Sequence, residues 1–444
     1  MLVSTRARNV SFLGALLSMS CGGTLYLFSA YAPTLGYSPT ETSLIASAGG
    51  AGMYVLGPVA GKIGEILGGR RLAFLSAVFL GCGYLLLAFT VRWQTPFALA
   101  AFAYFFVGLG SCTSYNAAVS TILRTFPVQQ HGVTVGLLAS AFGLSGFLFS
   151  QVSKVFVTSE GELQTFRFLL AVGVVTAAAN LVACLTLAHP SATYVPLPSV
   201  AEGLEADVPE RLDEDEDDRA AASAIAFDQP NPFNTTEMWV FLAAFMILTG
   251  SGLMYINSVG TILATAGMLP KSRIHVSVLS ISNALGRFVT GSCSDWTRPR
   301  VPRLSYLLLS SAMFVPAFIY TASFVPSVFT TATVGFAYGT LFVIAPVFVG
   351  ELGGVAKFGW NWGWAQWAPA LGGQFFNTLF GVIMDRHTPR SSSNEHERLP
   401  CVGTVCYATT FYAAAAATTF AGFLIAGLVA KRLRRTALSG YRPF

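Results

Sequence analysis

The sequence predicts an all-α membrane protein of twelve transmembrane helices, folded as two pseudo-symmetric six-helix bundles. Three observations predict it: the composition, the spacing of the apolar runs, and a charged element repeated in both halves of the chain. Of 444 residues, 53% are hydrophobic and only 11% charged, with a mean hydropathy of +0.60. A soluble surface needs about a quarter charged residues, so a water-soluble globular enzyme is excluded. The apolar total is close to what twelve spans of about 20 residues require. The 36 Phe and 43 scattered Gly suit a helix bundle in lipid, and exclude collagen-like, disordered and disulfide-built chains.

Apolar runs punctuated by charge or Pro place the first six spans at 10–32, 43–67, 72–91, 97–123, 133–157 and 166–188. The second six fall at 237–266, 274–294, 304–322, 327–350, 359–383 and 407–430. Arg6 and Arg8 ahead of an apolar run imitate a signal peptide, but the run continues past Cys21 to Ala32, too long for such a region. It is therefore the first span. Residues 1–188 form one bundle, 189–235 a linker, 236–432 the second bundle and 433–444 a basic tail.

Charge orients the bundle. Net charge is +5, yet residues 190–230 alone carry eleven acids against Arg211 and Arg219. The rest of the chain is strongly basic, as loops facing the cytoplasm require, and no nucleic-acid partner is implied. With both termini cytoplasmic, that face receives Arg6, Arg8, Lys62, Arg70, Arg71, Arg124, Arg298, Arg300, Arg303, Lys357 and the cluster at Lys431–Arg435. The opposite face receives fewer, chiefly Arg386, Arg390 and Arg398 beside Asp385, Glu395 and Glu397. The acidic linker, with RLDEDEDDR at its centre, has too few apolar residues to bury a core and reads as a disordered cytoplasmic connector.

The halves repeat. Glu65 lies 56 residues beyond position 9, and Asp295 lies 59 beyond position 236, each at the cytoplasmic end of the second span of its half. Two such halves imply a central path between pseudo-twofold-related bundles. The string Gly61-Lys-Ile-Gly-Glu65-Ile-Leu-Gly68-Gly-Arg70-Arg71 resembles the loop signature of the major facilitator superfamily, G-x-x-x-D-[RK]-x-G-[RK]-[RK]. Glu65 stands for its Asp, and Ile66 and Gly69 for two of its basic residues. Gly291-Ser-Cys-Ser-Asp295-Trp-Thr-Arg298 is the same element in the second half. The resemblance implies a conformational lock built from Gly61, Glu65, Arg70, Arg71, Gly291, Asp295 and Arg298. The strings GLGSCTSYNAA (108–118), GLSGF (143–147), GSGLMYINSVGTI (250–262), SISNALGRFVTGSCSD (280–295) and CVGTVCY (401–407) narrow it. They are similar to the nodulin-like branch, which includes the fungal monocarboxylate-transporter homologues.

Arg287 carries the candidate chemistry. It lies two helical turns before Asp295, about 12 Å along the helix, well inside the hydrocarbon layer. An arginine there costs at least about 2.5–3.5 kcal/mol unless it meets a partner or a wet cavity. Its planar fork matches a carboxylate; the other role open to it is a structural link to a helix carbonyl. Monocarboxylate transporters, which this region resembles, have an Asp one turn earlier; here Asn283 takes that place and carries no proton.

Further polar groups at membrane depth complete the candidate substrate set: Tyr26, Tyr31, Tyr115, Asn116, Tyr255, Asn257, Tyr338, Gln374 and Asn377. Any one of them serves equally as an interhelical hydrogen bond. Their concentration on spans 1, 4, 7 and 10, which line the path in the resembled fold, is the argument. The cluster Trp360, Trp362, Trp364 and Trp367 reads as an aromatic belt at the water interface. Cys401 and Cys406, in the last outer loop, are candidates for a disulfide whose geometry spacing does not settle.

These observations point to a secondary active or facilitative transporter of a small organic anion, a monocarboxylate first, working by alternating access. The alternatives are another small solute (an amino acid or metal chelate) and a non-transporting sensor with the same fold. An enzyme is not expected: the serine in Gly143-Leu-Ser145-Gly146 has no histidine inside a later span, and no metalloprotease or phosphate-loop motif is present. No cofactor and no metal are expected. The partners are a small-molecule substrate and the lipid bilayer, and the chain reads as a monomer. The resemblance favours the vacuolar membrane, with the plasma membrane as the alternative. No span interior holds Asp or Glu, which suggests uniport, exchange, or coupling through the substrate's own proton.

Overall fold

A computed structural model describes residues 5–31, 35–37, 39–156, 164–188, 231–268, 271–298, 300–387 and 401–439. The acidic stretch read as a linker lies almost wholly outside the described residues. Helix α1 comprises Thr5–Gly22, a 3-10 turn at Gly23–Leu27 and a short continuation, Phe28–Tyr31. Helix α2 begins as Pro39–Tyr54 and resumes at Gly57. The helix Gly57–Trp93 contains one residue of positive φ, Gly68 (φ 80°, ψ 165°), which ends α2 and starts α3 (69–93). A loop is expected there from sequence; one residue makes the turn instead, because a side chain would be strained in that conformation.

The first half closes with α4 (Phe97–Thr125), α5 (His131–Ser153) and α6 (Thr165–Thr186). The second half holds α7 (Thr236–Thr265), α8 (Ser272–Thr297), α9 (Ser305–Ser323) and α10 (Val328–Gly353). Helix α11 is Phe358–Ala365 joined at Gln366 to Trp367–His387, and α12 is Ala408–Ser439, longer than the 407–430 expected. Local signals set the starts: Thr235 caps α7 by accepting from Met238 N at 3.3 Å, and Ser327 caps α10 by accepting from Thr330 N at 3.1 Å.

Among the described residues, eight helical runs are long and apolar enough to cross a membrane. One of them, Leu44–Trp93, is two spans joined at Gly68. The three spans outside that set are α1 and α11, which are interrupted, and α8, which carries Arg287 among Ser, Asn and Thr. Helix α2 is also broken, between Tyr54 and Gly57, but stays within one apolar run.

The interruption in α1 is secured from outside. A 3-10 turn leaves backbone carbonyls without their α-helical donors. Tyr84 of α3 donates its hydroxyl to the Thr24 oxygen at 3.0 Å, and Tyr104 of α4 donates to Leu25 at 2.6 Å.

The halves meet along two related crossings, α2 against α11 and α5 against α8. Gly61 faces Gly359 in the first and Gly132 faces Gly291 in the second; a Cβ on any of the four would overlap the facing backbone. That approach is what small residues give a helix pair in lipid. The end of the bundle that holds these crossings also holds Arg70, Arg124, Arg298, Arg303 and Lys357, and is called the basic end below. Residues 110–123 of α4 and 337–350 of α10, their portions toward this end, are buried without a break.

Candidate functional site

At the basic end each crossing is fastened by an acid against a helix N-terminus. Glu65, near the end of α2, accepts from the Trp360 backbone N–H at 2.8 Å in the first turn of α11. Asp295, near the end of α8, accepts from Gly132 N at 2.9 Å and Val133 N at 2.6 Å in the first turn of α5. The first N–H groups of a helix have no partner within it and carry the positive end of its dipole. Both acids therefore do the same work in opposite halves, and the repeated motif corresponds to a repeated contact.

The basic members of the motif are placed differently. Arg70 donates Nε–H to the Leu187 carbonyl oxygen at 2.5 Å, within its own half, and Arg71 is exposed with no side-chain bond among the described residues. Arg298 pairs with Glu351 at 3.7 Å. The cation that engages Asp295 is Arg303, which is only 4% exposed. It also pairs with Glu351 and donates to the Val128 carbonyl oxygen across the boundary at 3.0 Å. Arg303 and Glu351 were not among the lock residues expected from sequence. The available signal was a charge at each end of the α9–α10 pair, which single helix-end charges do not distinguish from anchoring. Arg124 adds a further link, donating Nη2–H to the Ala356 carbonyl oxygen at 3.0 Å.

Arg287 sits higher on the α5–α8 crossing and is 2% exposed. Nε donates to Asn283 Oδ1 at 3.0 Å, one turn back on the same helix, and Nη1 donates to the Ala139 carbonyl oxygen of α5 at 2.6 Å. Nη2 has no hydrogen-bond partner among the described residues. The Phe342 ring lies 5.4 Å from the guanidinium carbon, close enough for a cation–π attraction. Of the two roles weighed from sequence, the link to a helix carbonyl is present. The side chain is enclosed by protein rather than standing in an open hollow.

Beside it runs a chain of ring contacts that joins the halves. Phe342 meets Phe245 at 5.9 Å and Tyr338 at 5.0 Å; Phe245 meets Trp362 at 6.3 Å. Trp362 stacks on Tyr115 of the other half at 5.9 Å, and Tyr115 meets Phe142 edge-on at 5.6 Å. Trp362 is 1% exposed, which corrects its assignment to a membrane-interface belt. The i, i+4 pair Phe358 and Trp362 shares the inward face, whereas Trp360 and Trp364 turn outward.

The remaining expected residues divide. Tyr115, Asn116 and Tyr338 gather near this aromatic layer; Asn116 donates Nδ2–H to the Cys112 carbonyl oxygen at 3.0 Å. Asn257 and Asn377 meet each other at 3.4 Å, and Gln374 donates to Thr378 at 3.2 Å. Tyr31 packs between Phe28 and Phe168 within the first half. Tyr255 shares a hydroxyl hydrogen bond of 2.8 Å with Thr331, which also meets His275 Nδ1 at 2.7 Å, all within the second half. The Tyr26 side chain lies outside the described residues. Cys401 and Cys406 are joined as a disulfide with 6.0 Å between Cα atoms, and Gly403 between them donates its N–H to the Thr265 oxygen of α7 at 3.1 Å. No cluster of metal ligands occurs among the described residues.

Against this geometry, the family model described as Major Facilitator Superfamily matches residues 10–373. The chain belongs to that superfamily. Its similar relatives include the probable transporter mch1 of Neurospora crassa, 26% identical over 92% of this chain and 87% of the relative. The probable transporter MCH1 of Wickerhamomyces anomalus is 27% identical over 84% and 78%. Among solved structures, the superfamily transporter FucP in the outward conformation matches with a TM-score of 0.59 at 13% identity, over 94% of this chain and 99% of that one. The superfamily member described here is accordingly a multi-pass membrane transporter, and its twelve helices form the two-bundle fold of that superfamily.

Proposed function

We propose that this transporter carries a small organic anion, a monocarboxylate first, by alternating access, and that the state described is the one closed at the basic end. The observation that carries the reading is Arg287, a guanidinium far from the ends of its span. Its neighbour Asn283 holds it by hydrogen bond without neutralising it. A guanidinium at that depth with no acid beside it is a standing demand for an anion. The resemblance to fungal monocarboxylate-transporter homologues supports a carboxylate as that anion. Tyr115, Asn116 and Tyr338 are the proposed hydroxyl and amide contacts, with Asn257, Asn377 and Gln374 on the α7–α11 side.

With the basic end in the cytoplasm, the hydrogen bonds that join the halves among the described residues, including Glu65–Trp360, Asp295–Gly132, Arg124–Ala356, Arg287–Ala139 and Ser140–Ala284, lie between the cytoplasmic face and mid-depth. This is the outward-facing form. The chain works as a monomer, in the vacuolar membrane. Transport is uniport, exchange, or coupled through the proton of the substrate, because the Asp and Glu residues of the spans stand near their ends and not in their interiors.

The test is uptake of radiolabelled acetate, lactate and pyruvate into proteoliposomes. Native protein takes up at least one of them, and Arg287→Ala does not, while its melting shows a folded protein. Native-level uptake by a folded Arg287→Ala removes the assignment.

A further inference from the structure

At mid-depth the halves are fastened by two reciprocal bonds. Arg287 of α8 donates to the Ala139 carbonyl oxygen of α5 at 2.6 Å. One residue on, Ser140 of α5 donates its hydroxyl to the Ala284 carbonyl oxygen of α8 at 2.8 Å. The serine hydrogen is shared with the Gly136 oxygen on its own helix at 2.7 Å, so this half of the clasp is the weaker. Gly143 lies a turn further along α5, beside the guanidinium, where a Cβ would be in ordinary van der Waals contact with Arg287 Cζ at 3.5 Å.

The Ala139 oxygen takes one of the two N–H groups of Nη1, a nitrogen that an anion bound end-on to the guanidinium would also use. A carboxylate is the stronger acceptor, because its charge assists both bonds of a bidentate pair. Nε is committed to Asn283, and Nη2 is the donor left open. A carboxylate that arrives at Nη2 and takes the Nη1/Nη2 edge pulls the guanidinium toward itself and so competes with Ala139 for Nη1.

We propose that the Ala139 carbonyl and the substrate compete for Nη1 of Arg287, so that anion binding itself unfastens α5 from α8 and permits the basic end to open. The inference rests on the anion reading above and adds to it the step that couples binding to movement. It also assigns Ser140, which touches no substrate, as a positioning residue that sets how firmly the unloaded transporter stays shut. An empty transporter is thereby kept from cycling by the same nitrogen that recognises cargo.

Cys112 is a native reporter of this closure. It is fully buried, and its thiol lies 3.8 Å from Gln366 Oε1 of the opposite half. The experiment uses the full chain in nanodiscs with Cys21, Cys82, Cys184 and Cys293 replaced by Ala. It measures the rate at which a water-soluble maleimide labels Cys112, with and without acetate, lactate or pyruvate, alongside melting. Any of these carboxylates that raises the melting temperature is expected to speed labelling several-fold. Ser140→Ala speeds labelling without any anion, and Arg287→Gln labels fast and no longer responds to carboxylate. The loss of one charge-assisted bond bounds the effect at roughly tenfold or somewhat more. A carboxylate that stabilises the protein yet leaves labelling unchanged or slower overturns the exchange alone, as does native-rate labelling of Ser140→Ala. Absence of any melting shift with all three carboxylates overturns the anion reading, and the exchange with it. Should Arg287→Gln fail to fold, the native and Ser140→Ala measurements decide the matter.

Discussion

The carboxylate of Glu65 accepts a hydrogen bond at 2.8 Å from the backbone N–H of Trp360, and the two residues belong to opposite halves of the transporter. Asp295 repeats the relation against Gly132 and Val133. In the proposed alternating-access cycle a fastening of this kind is broken at every turn, so its strength is bounded on both sides. Backbone N–H groups meet that requirement: they are fixed in direction, and water replaces them without stranding a side-chain charge.

The two fastenings are unequal. Asp295 receives two N–H groups and faces Arg303, whereas Glu65 receives one across the boundary and has Lys62 at 3.5 Å in an exposed pair. Asp295→Asn leaves Arg303 with one fewer counter-charge in a buried position, a loss of about 3 kcal/mol. Glu65→Gln costs about 1 kcal/mol. Melting in detergent should fall distinctly further for Asp295→Asn; equal losses would show that the Arg303 pair adds nothing.

On the proposed anion reading, position 283 sets whether the site senses pH. In Asn283→Asp an ionised carboxylate one turn from Arg287 competes with substrate at neutral pH. Protonation of that aspartate as pH falls removes the competitor. Uptake by this variant should therefore be depressed at neutral pH and recover on acidification, while native uptake of an anion that stays ionised across the range stays nearly flat. A flat profile for the variant would show that position 283 does not address the guanidinium electrostatically.

Gly61 and Gly132 mark the points where a side chain has no room. Gly61→Val and Gly132→Val each push one crossing apart at the basic end. Uptake should drop at least about tenfold, a change of about 1.4 kcal/mol or more in the balance of states. Cys112 should label rapidly without any ligand. Both variants keep the apolar character of their helices, so insertion and melting in the presence of lipid should remain measurable. Slow labelling of either variant would mean that the crossing is looser than its glycine-to-glycine contact implies.

Trp362 fills the boundary between the halves. Trp362→Phe preserves a ring against Tyr115 and should leave melting within about 1.5 kcal/mol of native. Trp362→Ala opens a void at a fully buried position and should cost about 3–5 kcal/mol. A small effect of the alanine variant on thermal unfolding would place the tryptophan outside the packed layer.

Much of the fold was legible in the sequence because lipid imposes a simple code. Apolar runs of span length gave the twelve helices, and the offset of Glu65 and Asp295 gave the repeat. The break at Gly68 looks like a loop in the sequence, since four small and basic residues do so whether the chain turns at one residue or four. Arg287 announced itself by depth, but its bond to Ala139 did not, because a backbone carbonyl leaves no mark in a sequence. Span number alone suggests that the hydroxyls of Tyr31 and Tyr255 line the path; in the structure each packs within its own half. The faces they occupy are set by helix rotation, which apolar sequences on all sides do not encode. Trp362 was hidden among three neighbours of the same type, and only the phase shared with Phe358 separates it from them.

The elbow in α1 has a mechanical consequence. A continuous rod would convey tilt at one leaflet directly to the other; two rods joined by a 3-10 turn, with phenols from Tyr84 and Tyr104 gripping the joint, pivot there instead. The segment beyond the joint is held by its own contacts, with Tyr31 fully buried against Phe28 and Phe168, so residues 23–27 are the expected place for any bend in the first helix.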